Sequence, residues 1–155
     1  MKLQAARRCR GMRMVVEYRK MVKIEIINMN SPNIIGRIKR MGNEVIQFIK
    51  NAGGCIVSKN ILTGNGKLKW MVRERSNNSA DNGWRFFSDI DDDEYCSDAE
   101  NFEVCDFNFV ANIEPAILGI YLYPVGSDLQ LVSDNGKLKF YDNMTGQEVH
   151  PIYNI

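Results

Sequence analysis

The sequence predicts an α+β domain: an antiparallel β-sheet with hairpins, packed against one long amphipathic helix and short helices. Three observations predict it. Ile34, Ile38, Met41, Val45 and Phe48 recur at steps of four and three, the stripe of a helix with one buried face. Beyond Gly54 the apolar runs are short, rich in β-branched and aromatic residues, and separated by glycine-containing turns. Helical and strand-like segments lie in separate blocks, without the alternation of a βαβ fold.

Each element has its own signal. Val22-Lys23-Ile24-Glu25-Ile26 alternates apolar and charged residues and reads as a strand with one buried face. Ser31-Pro32 then opens the helix, serine as cap and proline at the first helical position. Arg37, Lys39, Arg40 and Glu44 fall off its apolar stripe, and Gly53-Gly54 closes it. Cys55–Ser58 and Leu68–Arg73 flank Thr63-Gly64-Asn65-Gly66, which predicts a hairpin. Trp84–Phe87 is a third strand. Leu129–Val132 and Leu138–Tyr141 flank Asp134-Asn135-Gly136, a second hairpin. Glu114-Pro115 opens a short helix, and Pro124-Val125-Gly126-Ser127 is a turn. Asn-Gly-Lys-Leu-Lys occurs at 65–69 and again at 135–139, but the flanks differ, so recurrent turn chemistry explains it better than duplication.

A chain of 155 residues, 45% hydrophobic and 25% charged, fits one globular domain. Residues 1–20 read as a basic flexible arm or a start-site extension, and 21–155 as the domain. The longest apolar stretch near the N-terminus is Met14-Val15-Val16, too short for a secretory signal, and no run approaches the roughly 20 residues of a membrane span. Cys9, Cys55, Cys96 and Cys105 form no C-x-x-C pair, and His150 is the only histidine, so neither zinc-finger spacing nor a disulfide framework is present. The expectation is a cytoplasmic protein with buried free thiols and no cofactor.

Net charge hides a polarity along the chain. Residues 1–50 carry 12 basic and 3 acidic side chains, 12 − 3 = +9, whereas 81–106 carry 1 basic and 10 acidic, 1 − 10 = −9. Catalytic motifs are absent: no G-x-S-x-G elbow, no P-loop, no G-x-G-x-x-G. The chain is therefore expected not to be an enzyme. Asp89, Asp91, Asp93 and Glu100 match part of an EF-hand loop, but Glu94 stands where the loop needs glycine. No metal site is assigned. The distinctive feature is an aromatic strand that runs straight into acidic residues. Its candidate partner-binding residues are Trp84, Arg85, Asp91, Asp92, Asp93, Glu94 and Tyr95, with Trp84 and Phe86 alternatively serving as core. A negative surface of this kind suits a basic protein partner. The competing reading is nucleic-acid binding through Arg7, Arg8, Arg10, Arg13, Arg37, Lys39 and Arg40.

Gly54-Cys55-Ile56-Val57-Ser58, Trp70-Met71-Val72-Arg73-Glu74, Asp81-Asn82-Gly83-Trp84-Arg85-Phe86-Phe87-Ser88, Asp92-Asp93-Glu94-Tyr95, Asn112-Ile113-Glu114-Pro115 and Pro124-Val125-Gly126-Ser127 follow one another in a recognisable order. Over about residues 53–133 this order resembles the bacterial immunity-protein-33-like domains, long catalogued as a domain of unknown function. The resemblance does not extend to residues 1–50. It implies a small protein that binds and neutralises a toxin domain in a polymorphic toxin system, and it carries over no catalytic residue. A basic nuclease is the toxin that an acidic face would fit.

Overall fold

The structure, a computed structural model, describes residues 45–153. Its frame is a seven-stranded mixed sheet with strand order β4-β1-β3-β2-β5-β6-β7. The strands are β1 (Gly54–Ser58), β2 (Leu68–Arg73), β3 (Asp81–Ser88), β4 (Phe102–Asp106), β5 (Asp128–Asp134), β6 (Lys137–Asp142) and β7 (Glu148–Val149). Three short α-helices join them: α1 (Lys59–Thr63), α2 (Asp93–Ser97) and α3 (Phe107–Ile113). A 3₁₀ segment, Pro115–Ile120, follows α3.

The predicted fold class is corrected on two points. The sheet is mixed, because β1 pairs with β3 in parallel and every other neighbouring pair is antiparallel. No long amphipathic helix occurs among the described residues, where the longest helix is the seven-residue α3. Most of the expected helix, and the strand expected at 22–26, lie outside the described residues. Its last positions, Val45 and Phe48, are not helical. The reason is a side-chain grip. Asn108 Oδ1 accepts the main-chain N–H of Phe48 and Ile49, each at 3.0 Å, and its Nδ2 donates to the Ile49 carbonyl at 2.9 Å. Asn112, one turn further along α3, holds both main-chain groups of Ile46 in the same way. Main-chain groups that a helix would pair four residues away are instead taken by α3.

The first predicted hairpin is also corrected. β1 and β2 do not pair, because α1 intervenes and β3 is inserted between them. Ser58 caps α1, and Gly64 ends it in the left-handed conformation at φ 78°. The second hairpin has the predicted form. Asn135 and Gly136, at φ 49° and 76°, make the two-residue turn between Asp134 and Lys137, which are paired.

β1 is buried along its whole length and β3 nearly so, as expected for strands with neighbours on both sides and cover on both faces. One face carries the larger core: Val57, Met71, Trp84, Phe86, Leu129 and Phe140 against Phe107 and Val110 of α3 and Ile117 and Ile120 beyond it. The other carries a smaller one: Ile56, Trp70, Val72, Phe87, Phe102 and Val104 with Cys96 of α2. Aromatic contacts link the elements, Phe86 with Phe107 at 6.0 Å and Phe107 with Tyr121 at 4.9 Å between ring centres. Cys55 and Cys105 are buried free thiols, as expected, and burial followed by the neighbouring Cys105 pushes the Cys55 thiol well up.

Between the rungs Gly54↔Asp81 and Ile56↔Arg85, β3 advances four residues while β1 advances two. Gly83 absorbs the difference at φ 88°, and a Cβ there would overlap the Glu74 carbonyl oxygen. Gly83→Ala is therefore expected to cost about 3 kcal/mol or more in urea unfolding. Gly136→Ala, at positive φ but with open space around it, should cost only about 1–2 kcal/mol.

Candidate functional site

The acidic segment forms a shoulder at the end of β3. Ser88 is wholly buried, and beyond it the chain turns through Asp89 and Ile90, both exposed, to Asp91, which is 7% exposed. Asp91 is the hub. Its Oδ1 accepts hydrogen bonds from Ser58 Oγ at 3.0 Å, Asn60 Nδ2 at 2.8 Å and Ser88 Oγ at 2.5 Å. Its Oδ2 accepts the Ser88 main-chain N–H at 2.7 Å. One carboxylate thus ties the ends of β1 and β3 to the start of α1.

The next carboxylate starts α2. Asp92 Oδ1 accepts the Tyr95 N–H at 2.8 Å, and Asp93 and Glu94 occupy the first turn, where the helix dipole favours negative charge. The Tyr95 hydroxyl turns back toward the hub: it donates to the Asn101 carbonyl at 3.0 Å and accepts the Asn60 N–H at 3.3 Å. Asp98 caps the following 3₁₀ turn, its Oδ1 2.9 Å from the Glu100 N–H. Asp89, Asp92, Asp93, Glu94, Asp98 and Glu100 are all exposed. No Lys or Arg occurs in the sequence between Arg85 and Lys137.

The sequence-predicted site residues therefore divide. Asp92, Asp93 and Glu94 stand exposed on the shoulder, and Tyr95 is half-buried beside them. Asp91 lies beneath, as their support. Trp84 is fully buried, stacked on Phe86 at 6.1 Å, with its indole Nε1 donating to the Tyr121 carbonyl at 3.3 Å and Arg73 over its ring. Arg85 is buried too. Its guanidinium forks onto Asp81, Nη1 to Oδ1 at 2.9 Å and Nη2 to Oδ2 at 2.7 Å, while Nε reaches Glu74 at 3.1 Å. Burial pushes the Asp81 carboxyl up, but the Arg85 hydrogen bonds and charge outweigh it and hold it below its ordinary value. Arg85 itself is lowered by burial and raised more by Asp81 and Glu74.

The residues that sequence reasoning missed are the supports: Ser58, Asn60, Ser88 and Asp81. A signal existed for the last. Asp81 and Arg85 are opposite charges in a strand buried on both faces, where an isolated charge would be too costly to keep. Asp89, the first partial EF-hand position, accepts the Lys67 N–H at 2.8 Å. Asp91 and Asp92 are engaged as described, and among the described residues no group of three or more His, Cys, Asp or Glu is placed to hold a metal ion. His150 is exposed, and its carbonyl accepts the Tyr123 hydroxyl at 2.7 Å. No helix among the described residues is long and apolar enough to cross a membrane. The basic residues of the nucleic-acid reading, Arg7 to Arg40, lie outside the described residues.

What the geometry defines is a small mixed-sheet domain with a rigidly mounted acidic shoulder. Comparison with known families places it more closely: the model of the Immunity protein Imm33 domain matches residues 55–142. That span is more than half of the chain, runs from β1 through β6 and contains the shoulder and all its supports. The chain belongs to the Imm33 immunity protein family, as the sequence resemblance implied. No curated protein and no solved structure matches it.

The buried ion pair generates a pH prediction. A carboxyl with a depressed folded pKa contributes stability that is present above its unfolded pKa, about 3.9, and lost as pH falls through the folded one. Urea midpoints measured from pH 7 down to 2 should therefore fall less steeply below about pH 4 in Asp81→Asn than in the wild type. Parallel acid limbs would show that Asp81 titrates as it does in the unfolded chain.

Proposed function

We propose that this protein is the non-enzymatic antidote of a bacterial polymorphic toxin system, acting in the cytoplasm by binding its cognate toxin domain through the acidic shoulder. The observation that carries the reading is the set of exposed carboxylates within the Imm33 span, held on a buried hydrogen-bonded hub. The mounting matters energetically, because the hub and the Asp92 cap already order the main chain from which the charges project, so little backbone ordering is left to be done on binding. Their common sign speeds encounter with a positive cleft and disfavours acidic partners. A nuclease toxin, whose cleft binds phosphates, offers such a surface, and the carboxylates would stand where the phosphate charge binds. Asp92, Asp93 and Glu94 are the contacts, with Tyr95 at their edge. Asp91 acts from beneath by holding the shoulder in place, whereas Trp84 and Arg85 are buried toward the start of β3 and pin that strand.

The test is calorimetric titration with the toxin domain encoded beside this gene. The variant Asp92→Asn/Asp93→Asn/Glu94→Gln should bind about tenfold more weakly or worse at low ionic strength, and the difference should shrink at high salt. Equal affinity at low salt would remove the shoulder from the interface. Wild-type protein that gives no binding heat and no protection from the toxin would remove the antidote role itself.

A further inference from the structure

A second surface lies where the sheet forks. The β2–β5 ladder ends at Trp70↔Gln130, although β2 extends to Leu68 and β5 to Asp134. A bulge causes the split: opposite β3, the register shifts between Leu68↔Ser88 and Trp70↔Phe87, which bends β2 away from β5. The hairpin shows which main-chain groups are left facing the gap. Its two-residue turn closes on the pair Asp134↔Lys137, so Asp134 and Val132 direct their N–H and C=O groups to β6. Ser133 then directs its own toward the place that β2 has left. Among the described residues, no main-chain partner meets Ser133 there.

The fork opens into a groove of roughly 580 Å³. Ile61, Leu68 and Leu131, all buried, form its floor. Leu138, 49% exposed, and Ile113, 37% exposed, stand at its sides. Lys67 just before β2 and Lys69 within it, whose Nζ lies 5.3 Å over the Trp70 ring, line one side together with Asp89, and Glu114 lines the other at the end of α3. Apolar floor, open strand edge and charges of both signs are the elements of β-strand addition. There the occupant's main chain supplies affinity, and its alternate side chains enter pockets.

We infer that the fork is a docking slot for an extended segment of a partner protein. The segment pairs through its main chain with Ser133 and seats an apolar residue between Leu138 and Ile113. Flanks of opposite charge meet Lys67 and Lys69 on one side and Glu114 on the other. If the partner is the toxin of the proposed function, the fork gives it a second, short-range foothold. Asp89 lines both the groove and the shoulder, so one partner can span the two.

The test needs no toxin, so its failure leaves the antidote reading to its own experiment. A displayed library of random linear peptides is selected on the full-length protein, and enriched peptides are titrated against the ¹⁵N-labelled chain. Expected are peptides with an apolar residue between charges, amide shifts at Lys69, Leu131 and Ser133, and about tenfold weaker binding by Ser133→Pro. That substitution removes the fork-facing N–H and leaves the groups that pair with β6 in place. Leu138→Asp, at an exposed position, should weaken binding by a similar factor and serves if Ser133→Pro does not fold. Failure to enrich any peptide would overturn the inference. So would shifts confined to other regions, or unchanged affinity in the folded variants.

Discussion

Asp91 is a charge placed almost out of reach of water, and that placement constrains the region around it. A buried carboxylate is tolerable only when its lone pairs are filled, and here Ser58, Asn60 and Ser88 fill them with three side-chain donors and one main-chain N–H. Those donors come from the end of β1, the start of α1 and the end of β3, so these segments cannot separate without stranding a negative charge. The hub also fixes where the chain re-emerges, and hence where the exposed carboxylates of α2 stand. Arg85 repeats the device at the other end of β3, forked onto Asp81 across the Gly83 bulge. β3 is thus pinned by an ion pair at its start and by the Asp91 hub at its end. Trp84 and Phe86 fill the core between them.

Polar anchoring of this kind separates two roles that the acidic run blends together. Buried members of the run give the shoulder its shape, and exposed members give it its field. The division accounts for how a seven-stranded sheet joined by short helices can present a defined charged surface. The α3 asparagines apply the same economy elsewhere, gripping the main chain of Ile46, Phe48 and Ile49 with side-chain amides while Ile49 packs into the core.

The sequence was legible where local chemistry decides the outcome. Asn135-Gly136 has one favourable hairpin geometry, and the structure adopts it. The turn at Pro124–Ser127, with Gly126 at φ 95°, and the 3₁₀ start after Glu114 follow from equally local preferences. Topology was not legible, because a Gly-rich loop between two strands fits either a hairpin or a crossover. Only the placement of β3 between β1 and β2 settles which one forms. The apolar stripe at 34–48 misled at its end for a related reason: Val45 and Phe48 keep helical spacing, yet Asn108 and Asn112, sixty residues away, claim the main chain. Within the candidate site, Asp91, Asp92 and Asp93 are indistinguishable as letters. Which of them is buried depends on Ser58 and Asn60, donors distant in sequence. The family resemblance was legible because its aromatic and acidic blocks are contiguous.

The central claim is that the Asp91 hub holds the acidic shoulder in place, and amide hydrogen exchange on Asp91→Asn tests it most directly. An amide in place of the carboxylate removes one acceptor and the charge while keeping the shape. The account predicts faster exchange at Ser88, Asn60, Tyr95 and Cys96, with the β5–β6 hairpin amides unchanged from wild type. Unchanged protection at those four amides would contradict it, as would a uniform loss across the sheet.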